Sequence, residues 1–273
     1  MLDIIKAIIL GIIEGITEWL PISSTGHLIL ADQFIRIQMS DAFMEMFNVV
    51  IQLGAILAVI VLYFKKLFPV GKVNGCYRVK TDTVSLWLKV IVAVLPAALI
   101  GVPFEQQLDD LFYNYQTIIV TLIVYGILFI ILENRNRTKM FPINSFSDVN
   151  YRTALLIGVF QVLALIPGTS RSGATILGAM LLGCSRAVSA EFSFFLAIPV
   201  MFGASLLKLL KFGFDFTGLE MAVLAAGMIT AFAVSILAIK FLMGYIRKHD
   251  FKAFGWYRIV LGVILGAYFI FLA

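Results

Sequence analysis

Charge is what this chain has least of. Charged residues make up 14% of its 273 positions and hydrophobic ones 61%. Soluble domains carry about a quarter charged residues, so the scarcity excludes a water-soluble fold and predicts a polytopic membrane protein. Cysteine is nearly absent too. Cys76 and Cys184 are too few for a disulfide framework and stand at no metal-ligand spacing. The opening residues lack a secretory leader pattern: their charge is wrong, no small-residue cleavage site follows, and Glu14 interrupts the apolar run. The net charge of +5 resides between apolar runs. That distribution suits loops lying on anionic headgroups and excludes a nucleic-acid surface. The length fits one compact membrane domain, residues 1–273, with no room for a second large one.

Apolar runs fill most of the remainder. Full spans are expected at about 42–64, 85–104 (with Pro96 inside), 116–132, 190–210, 219–243 and 254–272. Two further segments are broken. Residues 1–37 hold two short helical runs interrupted at 21–26, and 154–182 are interrupted around Pro167-Gly168-Thr169-Ser170. Neither half of such a segment spans comfortably alone, so each is read as a re-entrant hairpin whose non-helical middle is buried in protein. The loops at 65–89, 133–153 and 244–253 are basic and are assigned to the cytoplasm, while the acidic loop 105–115 is assigned outside. The first hairpin then enters from the outer face and the second from the cytoplasmic face. Lys208 and Lys211 oppose this topology mildly.

A shift of 147 residues aligns Gly11 with Gly158, Glu14 with Gln161, Ser23 with Ser170, Ser24 with Arg171 and Phe47 with Phe194. Each half, about 1–150 and 151–273, is one hairpin plus three spans. Because three is odd, the second half is inverted relative to the first. The fold expected is therefore all-α, an inverted-topology repeat whose site lies where the broken elements meet.

Polar groups cluster at both breaks. Glu14 and Glu18 stand one turn apart on an apolar helix and need a cation or a cationic partner. A divalent metal held by Glu14 and Glu18 is one answer, and Arg171 from the other hairpin is another. Ser24 and His27, three apart, share a face if helical, so His27 is a candidate base for Ser24 or for water. Ser23 and Thr25 flank Ser24, and Ser23 also suits a helix cap. In the second break, Ser170, Ser172 and Thr175 supply hydroxyls, Gly168 and Gly173 permit close backbone approach, and Arg171 offers a planar fork. A helix restarting near Ser172 would aim its free N–H groups at the same place. The competing reading is a capped helix start with Arg171 snorkelling to headgroups. Arg258 is either a snorkelling side chain or a second phosphate contact.

The stretches EGITEWLPISSTGHL and PGTSRSGAT resemble the two signature motifs of the undecaprenyl-diphosphate phosphatases, or bacitracin-resistance proteins. The likeness extends along the whole chain, including AEFSFFLAIPVMFGAS and YRIVLG. It implies a multi-pass enzyme of the bacterial plasma membrane, open to the outer face. Such an enzyme cleaves undecaprenyl diphosphate to undecaprenyl phosphate and inorganic phosphate, with Mg2+ or Ca2+ assisting, and confers bacitracin resistance. Carried over by residue, the functional positions are Glu14, Glu18, Ser24, His27, Ser170, Arg171, Ser172, Thr175 and Arg258. The partners are the lipid substrate and membrane lipid, with a homodimer left open and no nucleic acid. A secondary transporter or flippase of a phosphorylated lipid carrier is the alternative, since inverted repeats with broken helices are a transporter architecture.

Overall fold

The computed structural model describes residues 1–32, 34–73 and 76–271. It is almost entirely helical: α1 Leu2–Thr17, α2 Ser24–Asp32, α3 Asp41–Leu62, α4 Phe64–Leu67, α5 Thr81–Phe112, α6 Tyr115–Asn136, α7 Tyr151–Val162, α8 Arg171–Leu181, α9 Arg186–Phe212, α10 Gly218–Ile246 and α11 Lys252–Phe271. Among the described residues, α3, α5, α6, α9, α10 and α11 are long and apolar enough to cross a membrane. The chain is an all-α polytopic membrane protein.

The spans lie close to their expected positions, with two corrections. The loop assigned to 105–115 is mostly helix: α5 carries Pro96 and Pro103 inside it and continues through Glu105, Asp109 and Asp110 to Phe112. The basic stretch after α3 contains a small antiparallel hairpin, β1 Val70–Val73 with β2 Cys76–Val79. Lys208, which opposed the charge topology, is neutralised by Glu45 and Glu105 at 2.7 and 2.8 Å.

The packing is not sequential. α1 lies against α10, α10 against α3, α5 against α7, and α6 against α11. Close crossings depend on glycine. A Cβ on Gly126 of α6 would stand 2.6 Å from the Gly255 carbonyl, and one on Gly255 of α11 would stand 2.7 Å from the Gly126 carbonyl. Small residues at such crossings let backbones approach where lipid supplies no hydrophobic drive. At one end of the bundle, buried Glu133 accepts both a two-pronged pair from Arg186 and the Phe251 backbone N–H. Lys66 pairs with Glu191 at the same end, and Lys89 donates to the Phe146 carbonyl at 2.9 Å. The basic loops are thereby gathered together.

The short helices meet in the middle of this bundle. The first break runs over 18–23, earlier than expected, and the second over 163–170, opening with one 3-10 turn. Trp19, in the first break, is fully buried and meets Phe194 of α9 edge to face at 5.3 Å.

Candidate active site

Each break ends in a strained serine. Ser23 and Ser170 hold φ of 74° and 70°, a region non-glycine residues rarely occupy. Each then caps the helix that follows. The Ser23 hydroxyl accepts from Gly26 N–H at 3.2 Å, and the Ser170 hydroxyl accepts from Gly173 N–H at 3.1 Å. The caps turn the N-termini of α2 and α8 into the interior, where partial positive charge attracts an anion.

Glu18 joins the two breaks. Its Oε1 accepts from Arg171 at 2.8 Å and its Oε2 accepts from the Ser24 hydroxyl at 2.7 Å. Its backbone carbonyl accepts from Ser172 at 3.0 Å. Arg171 also donates to the Ser193 carbonyl at 2.7 Å and stands over Trp19, while its Nε has no partner. An unpartnered guanidinium N–H beside a held hydroxyl can take an incoming phosphate oxygen.

Glu14 lies beside Glu18, wholly buried, and neither carboxylate oxygen has a donor. A buried carboxylate left this way is costly unless a cation or proton joins it. A proton on Glu14 would remove that cost, and so would a divalent cation shared by the pair. Among the described residues no three acidic, His or Cys groups form a complete cage, so water and phosphate oxygens would supply the remaining ligands, as Mg2+ prefers.

Two expected roles change with the geometry. His27 does not reach Ser24 by hydrogen bond. Its Nδ1 lies 2.6 Å from the Ser23 carbonyl and its Nε2 lies 2.7 Å from the Tyr257 hydroxyl. A carbonyl can only accept, so Nδ1 carries a proton and a neutral ring presents Nε2 as the acceptor. The carboxylate holding Ser24 is that of Glu18. Arg258 faces inward, completely buried, but its guanidinium donates to the carbonyls of Pro21, Gly168 and Thr169. It ties one break to the other, and Gly173 leaves room for it, since a Cβ there would stand 3.1 Å from the Arg258 Nη1. Thr175 is equally enclosed, with its hydroxyl 2.7 Å from Ser193 and 2.9 Å from the Arg171 carbonyl.

The structure thus brings Glu14, Glu18, Ser24, Ser170, Arg171 and Ser172 together, with Thr25 half-buried on α2. Spacing did not identify Ser193 or Tyr257. A serine every fourth position inside apolar α9 (Ser189, Ser193) was the available signal for the first, and the tyrosine preceding Arg258 for the second.

The family model described as Bacitracin resistance protein BacA matches residues 7–264. The chain is 67% identical over 270 residues to an undecaprenyl-diphosphatase of Acetivibrio thermocellus, covering 99% of each chain. It is 63% identical over 269 residues to one of Lachnoclostridium phytofermentans, covering 98% of each. An undecaprenyl-diphosphatase of Enterococcus faecalis is 59% identical over 265 residues, covering 97% of this chain and 96% of its own.

Proposed function

The chain belongs to the bacitracin resistance protein family, and we infer that it is an undecaprenyl-diphosphatase. It hydrolyses undecaprenyl diphosphate to undecaprenyl phosphate and inorganic phosphate, returns the lipid carrier to cell-wall synthesis, and so confers bacitracin resistance. The observation that carries this reading is the Ser24 hydroxyl held on a carboxylate that is itself paired with Arg171, between two capped helix N-termini.

In this mechanism the Ser24 oxygen attacks the terminal phosphorus as Glu18 takes the hydroxyl proton. The bond from that phosphorus to the bridging oxygen breaks, and undecaprenyl phosphate leaves with the electron pair. Water then displaces Ser24 from the phosphoserine, giving inorganic phosphate and the free hydroxyl. Arg171 and the N–H groups of α2 and α8 face the charge that develops on the transferring oxygens. A divalent cation on Glu14 and Glu18, when bound, supplies further neutralisation of the diphosphate.

The topology belongs to the same reading. Two features recur at the 147-residue shift and support an inverted repeat: the positive-φ serines, and the glycines Gly11 and Gly158. A Cβ on Gly11 would collide with the Gly227 carbonyl of α10, and one on Gly158 with the Ala93 carbonyl of α5. With the basic loops cytoplasmic, α1 enters from outside and the site opens to the outer face.

The test is phosphate release from undecaprenyl diphosphate by purified, detergent-solubilised protein with Mg2+ or Ca2+ present. No release, with the lipid carrier moved intact across vesicle membranes, would replace the phosphatase reading with the transporter one.

A further inference from the structure

Consecutive helices α10 and α11 meet near their loop, where Tyr245 and Phe254 pack edge to face at 5.4 Å, and diverge beyond it, α10 lying on α1 and α3 and α11 on α6. Between α1, α10 and α11 this leaves a groove of about 490 Å³. Its walls are apolar, with Ile16, Phe241 and Phe254 among them. Ile16 and Phe241 remain exposed, on faces that a bilayer would cover.

The groove has one polar end, formed by Thr17, His27 and Tyr257. There the Tyr257 hydroxyl meets His27 Nε2, with the two rings nearly parallel, 6° apart. Ser24 lies three residues before His27 on α2, and Glu18 lies two residues before Leu20, which also lines the groove. The polar end of the groove is therefore a short step along the chain from the anion-binding cluster, with the hydrogen-bonded Tyr257–His27 pair at that end.

That arrangement fits an amphiphile with an anionic head and a hydrocarbon chain. We propose that the groove seats the head-proximal isoprene units of the polyprenyl chain, which makes it, and not the phosphate cradle, the determinant of chain preference. The proposal rests on the diphosphatase reading. The groove is far too small for a whole polyprenyl chain, so the remainder passes between α10 and α11 into lipid. The direction is consistent with a substrate from the outer leaflet. The groove runs from the breaks towards the basic α10–α11 end, and an outer-leaflet lipid with its head at the breaks points its chain that way.

The test compares undecaprenyl diphosphate with dimethylallyl diphosphate, whose single isoprene unit scarcely enters the groove. Ala253→Trp, filling the mouth, should lower kcat/KM for the long substrate roughly tenfold through KM, and leave KM for the short one within about threefold. Leu207→Trp, on the exposed face of α9, should alter neither. Equal effects on both substrates, or none on either, would overturn the proposal, whereas a wild type inactive on both would refute the diphosphatase reading itself. A second measurement does not depend on the variant folding or on turnover. A prenyl diphosphate carrying a photoreactive group on its third isoprene unit should label wild-type residues 13–17, 241–245 or 253–257. Labelling confined to other helices would overturn the groove assignment.

Discussion

Arg258→Lys is the perturbation that best separates an internal tie from a phosphate contact. Arg258 is fully buried and makes three hydrogen bonds, to Pro21 at 3.2 Å, Gly168 at 2.8 Å and Thr169 at 3.0 Å. Its fork reaches both breaks because the guanidinium nitrogens are held apart in one plane. Lysine keeps the charge but gathers its donors on one atom, so it can serve one break and must desert the other. Hydrogen bonds from charged donors contribute about 1.5–3 kcal/mol each, and an abandoned buried carbonyl costs about 1–3 kcal/mol. Losing one such contact at least therefore predicts roughly 2–4 kcal/mol of destabilisation. For a chain of this size that corresponds to a fall in apparent Tm on the order of 5–15 °C. Scanning fluorimetry in detergent reads it directly, and kcat should drop as well because the two helix N-termini lose their alignment. An unchanged Tm combined with a KM raised roughly tenfold would refute this and return Arg258 to the substrate.

Ser24→Ala should lower kcat by several orders of magnitude while binding of the lipid diphosphate persists, as loss of the attacking group alone would do; a variant keeping a substantial fraction of its turnover would make water the nucleophile. Glu18→Gln should be nearly as damaged, and the double variant scarcely worse than either, because members of a catalytic unit are non-additive; independent, multiplying losses in kinetic assays would count against Glu18 as the base for Ser24. Arg171→Lys should lose most turnover despite keeping its charge, since it cannot serve Glu18, Ser193 and a phosphate oxygen together; full turnover in phosphate-release assays would show that charge suffices. Glu14→Gln should raise the Mg2+ concentration needed for half-maximal activity, and an unaltered titration would remove Glu14 from cation binding.

Much of the scaffold was legible because hydrocarbon imposes harsh rules. Long apolar stretches must be helical, and the proline, glycine and serine clusters at both breaks announce where helix cannot continue. Less visible was how each hydroxyl chooses among neighbours. Ser172 and Thr175 sit in the cradle motif, yet Ser172 donates to the Glu18 carbonyl across the junction and Thr175 donates to the Arg171 carbonyl one turn back in its own helix. Ser24 and His27 have the spacing to face one another, but His27 turns back to the carbonyl one turn before it, and Ser24 turns to Glu18 across the break. Helical periodicity relates residues within one segment, and a break with φ of 74° at Ser23 destroys the register on which such a projection relies. The β1–β2 hairpin and the continuation of α5 through its acidic end were hidden for another reason. Both lie where apolar pattern fades, and the acidic end of α5 is held by a pairing distant in sequence, Glu105 reaching Lys208 of α9.

The crosswise packing of α1 has a consequence for biosynthesis. Its partner along most of its length is α10, which a ribosome completes only after eight intervening helices have left it. Until then the α1 face bearing Gly11 and Gly15, which meets the α10 backbone, lacks that partner, and its close-packing surface is left to lipid. Chains interrupted before α10 should therefore be recognised by membrane quality control and removed, so that no partly made enzyme accumulates with a phosphate-binding cluster open to the bilayer.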